Sequence, residues 1–148
     1  MGRTVGTDFA TSLREVEHPP IGFVTVPTVL IRKHGGNYSD DLVKMHLGEA
    51  SILAHCLARR PSLAPHAPAI RASMRHRRIM ALEVAFARAE LAAVRDIAAQ
   101  LGPGPLAPGV RLKAAVAALP APLNGWLARV LLAAGTLKSR LSAGRARP

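Results

Sequence analysis

Ile79, Leu82, Phe86, Ala89, Ala93, Ile97 and Leu101 recur at steps of three and four through residues 69–101. At 3.6 residues per turn this spacing draws one apolar stripe along a helix, and such a stripe has to be buried. Gly102-Pro103-Gly104-Pro105 then stops the helix, and Pro108-Gly109 completes a linker. The stripe reads as one long helix that must pack on other helices. Composition agrees: alanine dominates the apolar residues, and the five aromatics are Phe9, Phe23, Tyr38, Phe86 and Trp126. Such a chain builds helices that meet through small side chains.

Around this stripe the other elements can be set out. Residues 8–17 read as a short helix with Thr7 as its cap, ended before His18-Pro19-Pro20. Residues 22–32 read as one bent strand or two short ones, because Pro27 removes a ladder donor. Gly35-Gly36-Asn37 makes a turn, and Ser39 can cap the helix that follows. That helix covers 40–59, with Leu42, Met45, Ile52, Leu53, Cys56 and Leu57 as its apolar positions. Asp40 and Asp41 suit its first turn, Arg59 and Arg60 its last. Residues 61–68, with three prolines, read as a loop. A short helix is expected over 110–119, a break at Pro120-Ala121-Pro122, a final helix over 123–141, and a frayed basic tail over 142–148. The fold class is mostly α: a small N-terminal helix, one or two short strands, then an α-helical tail.

The formal charge of +11 comes from 20 basic residues against nine acids, and no acid follows Asp96. A basic balance attracts nucleic acid, an anionic membrane surface or a phosphate-bearing substrate. The arginines are spread out and few aromatics accompany them, so nucleic acid is not an expected partner. Cys56 is the single cysteine, which excludes an internal disulfide and a cysteine-based metal site. The start lacks the apolar core of a signal peptide, and Gly6 does not fit the myristoylation pattern. Residues 114–137 are broken by Pro120, Pro122 and Arg129 and do not make a spanning helix. Residues 123–148 can instead lie on a membrane, since Trp126, Leu127, Val130, Leu131 and Leu137 are followed by Lys138 and Arg140. An amphipathic helix packed on its own domain accounts for the same residues. The expected location is cytoplasmic, either free or peripheral at the inner face of the membrane.

The chemistry concentrates in Arg32-Lys33-His34-Gly35-Gly36-Asn37-Tyr38-Ser39, between an apolar run and a helix. Basic side chains at a strand's exit, a Gly-Gly turn and a helix N-terminus together suit an anion. A solvated strand–turn–helix corner fits the same eight residues. The order Arg-x-His-x-x-Asn-x-Ser after Val26-Pro27-Thr28-Val29-Leu30-Ile31 resembles the end of the catalytic domain of family 2 glycosyltransferases. Upstream, 7–14 looks like that family's Glu-Asp-aromatic-x-Leu-Trp-x-Arg helix, matching at Asp8, Phe9, Leu13 and Arg14. Thr7 and Ser12 depart from it, standing where the family has Glu and Trp. Gly22-Phe23-Val24 with Val26-Pro27, and Met45-x-x-Gly48-Glu49 downstream, extend the similarity over about residues 6–60.

The resemblance implies a GT-A fold, a nucleotide-diphosphate-sugar donor, a sugar or lipid-linked acceptor and a divalent metal, Mg or Mn. It implies Asp8 as the catalytic base, Arg14, Arg32 and His34 as substrate-binding residues, and His34 as a metal contact as well. One histidine does not make a metal site, and no Asp-x-Asp occurs in the 148 residues. A full catalytic domain needs on the order of 100–200 more residues ahead. The chain therefore reads as the C-terminal portion of such an enzyme, inactive alone; the alternative reading is a non-catalytic basic helical protein that docks on an anionic membrane surface or an acidic partner. The implied division is 1–38 as the end of the catalytic domain, 39–101 helical, 102–109 a linker and 110–148 basic helices. The remaining histidines carry less: His46 and Glu49 share a helix face at i, i+3 and read as solvated or at the edge of the core.

Overall fold

A computed structural model describes residues 41–145, with side chains to residue 135, together with Phe9, Thr11 and Val26. The described chain is mostly helical, with five α-helices: α1 (Leu42–Arg59), α2 (Ala67–Ala87), α3 (Leu91–Gln100), α4 (Pro108–Ala118) and α5 (Leu123–Arg145). A 3₁₀ helix, Pro61–His66, joins α1 to α2. Phe9 and Thr11, from the expected first helix, are both helical. Val26 sits at a bend and is 65% exposed. The other residues of the expected strands lie outside the described residues.

Two compact units make up the chain, Met1–Arg77 and Arg78–Pro148, so the division falls inside α2. Residues 102–109, expected to link domains, lie within the second unit.

In the first unit, α1 starts two residues later than its sequence suggests. Asp41, not Ser39, is its cap: the carboxylate accepts from the Lys44 amide at 3.2 Å and pairs with Lys44 Nζ at 2.8 Å. Its buried residues are Val43, Ala50 and Leu53, and Cys56 is half-buried with a free thiol. Arg60 closes the helix in an extended conformation, its amide reaching the Cys56 carbonyl at 3.0 Å. The proline-rich stretch is not a loop. Pro61 opens the 3₁₀ helix, Pro65 lies inside it and Pro68 falls in the first turn of α2. The fixed proline φ suits a helical turn, and first-turn amides have no helical acceptor to lose.

The second unit begins with the last turns of α2, and all four buried residues of that helix, Ala81, Leu82, Ala85 and Phe86, lie here. The expected single long helix is in fact two. Ala89 takes φ +58, the Glu90 amide bonds back to the Ala85 carbonyl at 2.9 Å, and the Ala89 amide to that of Phe86 at 2.9 Å. This pair of bonds is a Schellman ending, normally built on glycine, after which Leu91 starts α3. α3 packs on α4, and α4 on α5. Leu82, Phe86, Val94, Ile97, Ala117 and Ala128 are all at most 1% exposed and form the centre of the core. Arg78 Nη1 donates to the Gln100 carbonyl at 3.2 Å, tying α2 to the end of α3. Gly102 adopts φ +64 directly after α3, where a left-handed residue costs glycine nothing. The backbone of α5 stays helical to Arg145, beyond the frayed end expected at 142.

Candidate functional site

Asp8, Arg14, Arg32 and His34 lie outside the described residues. The side chain beside Asp8 in sequence does not. Phe9 is half-buried, and the Arg77 guanidinium sits over its ring, 5.2 Å from the centroid. That approach is a cation–π contact.

Arg77 also pairs with Glu49 on α1, through Nη1 to Oε2. His46 Nδ1 lies 3.3 Å from the same oxygen. His46 and Glu49 are each 13% exposed at the side chain. One carboxylate oxygen thus gathers a residue from its own helix and one from α2. The i, i+3 spacing puts His46 and Glu49 on one face of α1, as expected. With two partners already on Oε2, Glu49 holds side chains together at the edge of the unit. Sequence reasoning found the His46–Glu49 pair but missed Arg77. The partners are 28 residues apart, and Arg77 belongs to an Arg-rich run with no distinguishing mark.

In the second unit, Lys113 pairs with Glu83, and its Nζ stands 5.7 Å from the centre of the Phe86 ring. Beside it is an open groove of about 350 Å³, walled by Leu112, Leu131 and Leu132 with Phe86 at its base. The opposite side of α5 is apolar as well. Leu123, Trp126 and Val130 are 48%, 62% and 46% exposed. Leu127 and Leu131, grouped with them from sequence, are half-buried instead. Among the described residues no polar or charged residue is buried, so every ionisable group faces solvent or the edge of a unit.

No protein-family model matches this chain, and no curated protein or solved structure is similar to it. Among the described residues no three His, Cys, Asp or Glu side chains come together as metal ligands. Among the same residues no helix is long and apolar enough to cross a membrane.

Proposed function

We propose that this chain is the acceptor-side end of a family 2 glycosyltransferase-like enzyme, transferring sugar from a nucleotide-diphosphate sugar. One observation carries the reading. Asp8-Phe9 with Leu13-Arg14, then Gly22-Phe23-Val24, then Arg32-x-His34-Gly35-Gly36-Asn37-x-Ser39 occur in the family's order and spacing. Two features of the described residues support it. α1 begins at Leu42, a few residues after Arg32-x-His34 in the sequence, and carries Met45, Gly48 and Glu49 of the downstream motif. Phe9, the aromatic of the upstream motif, is helical and clasped by Arg77.

Sugar transfer needs a base on the acceptor hydroxyl and cations on the departing diphosphate. In this reading Asp8 removes the acceptor proton. Arg32 holds the donor's diphosphate, guanidinium being a bidentate phosphate ligand, and Arg14 contacts substrate. His34 would join them and, with carboxylates from a donor-binding half, would help to hold a Mg or Mn ion, which would supply positive charge toward a diphosphate. Arg77 acts indirectly, through its contact with Phe9, the neighbour of Asp8 in sequence. The reaction is assigned to the cytoplasm, with a sugar or lipid-linked acceptor.

The test is made on the protein tagged at its C-terminus and purified from its own cells. Radiolabelled nucleotide-diphosphate sugars are supplied with Mg or Mn, and transfer and hydrolysis are followed. Asp8→Asn is expected to lower turnover by about 100-fold or more, the scale of removing a general base. The 148-residue chain alone is expected to be inactive; turnover indifferent to Asp8→Asn, or micromolar binding of a nucleotide-diphosphate sugar by the 148-residue chain alone, removes the reading.

A further inference from the structure

α5 is apolar on two opposite sides. One side is spent on the core: Ala128 is fully buried, and Leu131 and Leu132 line the groove against α4. At about 100° per residue, Leu123, Trp126 and Val130 fall on the opposite side, and all three are exposed. Leu137 continues this second series in sequence. Exposed Arg129 falls between the two sides, on the flank of the outer stripe. A single exposed apolar residue is ordinary, but a row of three that includes the chain's one tryptophan is not.

The charge around the row restricts what can cover it. Neither α4 nor α5 contains an acidic residue, and none follows Asp96. Arg111 and Arg129 are exposed, and the sequence adds Lys138, Arg140, Arg145 and Arg147. A second copy packed through the same face would bring these cations together with no carboxylate on the helix to offset them, a repulsive arrangement. An anionic bilayer surface offers both complements: hydrocarbon for the Leu–Trp–Val row and negative headgroups for the flanking cations. Tryptophan favours that boundary, with its ring in the apolar layer and its N–H toward water. The groove on the other side of α5 is a weaker candidate for an anionic ligand, because Glu83 already neutralises Lys113.

We propose that the outer face of α5 docks flat on an anionic lipid surface, inserting Leu123, Trp126 and Val130 while Arg129 meets the headgroups. This does not rest on the glycosyltransferase reading, and either can fail alone.

Trp126 is the only tryptophan, so its fluorescence reports directly on the face. The full chain is mixed with vesicles of pure phosphatidylcholine, or with about 30% phosphatidylglycerol added, at low and at roughly 0.15 M salt. The expected result is co-sedimentation with the anionic vesicles, weakened by salt, with a blue-shifted emission quenched by brominated lipid. Trp126→Ala with Val130→Ser, read by sedimentation, should weaken binding about tenfold or more. Arg129→Gln should weaken it about fivefold, the effect of one cation near the surface. All of these side chains are exposed, so unchanged circular dichroism is expected and checks folding. Failure to sediment at low salt overturns the proposal, as does binding indifferent to the Trp126/Val130 change. A blue shift that needs no lipid and grows with protein concentration assigns the face to a second copy. A shift with polyglutamate but not with vesicles assigns it to an acidic protein.

Discussion

The described parts of the two units are held together differently. Around α1 the fixed points are charged: Asp41 on Lys44, and Glu49 gathering His46 and Arg77, with Arg77 reaching on to Phe9. In the second unit they are mainly apolar, with Ala81, Ala85, Ala117 and Ala128 at zero exposure beside Leu82, Phe86, Val94 and Ile97, and the Lys113–Glu83 pair and the Arg78–Gln100 bond add to them. Charges at an edge give orientation and respond to salt, whereas close packing responds to volume. The two units should therefore fail under different perturbations.

The largest expected effect tests the packed side of this contrast. Phe86→Ala removes the largest fully buried side chain and should cost about 3–5 kcal/mol, seen as a lower denaturant midpoint in Trp126 fluorescence. A loss below about 1 kcal/mol would mean that the packing around Phe86 is loose. A smaller effect is expected at the charged side. Glu49→Gln should cost about 1–2 kcal/mol, discounted because Arg77 is partly exposed, and show as faster hydrogen exchange in α1. In about 1 M salt the difference from the parent should narrow. A cost independent of salt would make Glu49 a packing residue and blur the contrast. The smallest effect has the opposite sign. Ala89→Gly relieves a left-handed alanine at the α2–α3 corner and should stabilise by about 0.5–1 kcal/mol in thermal melts. Destabilisation would show that the corner is held by more than its two backbone bonds.

Periodicity and punctuation made most of the helices readable. The stripe from Ile79 to Leu101 is buried at Leu82, Phe86, Ile97 and Leu101, and the Gly102 stop falls where the sequence puts it. The same stripe hid the break at Ala89, because a left-handed ending built on alanine carries no glycine to announce it. Three prolines suggested a loop, yet proline φ fits the first turns of helices, and the stretch is helical. Burial of Val43 and Ala50 was not read from the spacing, since small residues on α1 gave a weaker pattern than its leucines. At the candidate site, Asp8, Arg14, Arg32 and His34 were recognisable only as an ordered motif. Arg77, which holds the neighbour of Asp8, had no local signal, because its role depends on a contact made across 28 residues of chain.

The buried alanines have a genetic consequence. A single transition at the first or second base of any alanine codon gives threonine or valine. At Ala81, Ala85, Ala117 and Ala128 either product adds atoms where no side of the residue meets solvent. The threonine also brings a hydroxyl into a core whose described residues include no buried polar side chain. Sites that look interchangeable in a composition table are thus where this chain has the least room to drift, while exposed arginines such as Arg71, Arg95 and Arg111 can be exchanged with little effect on folding.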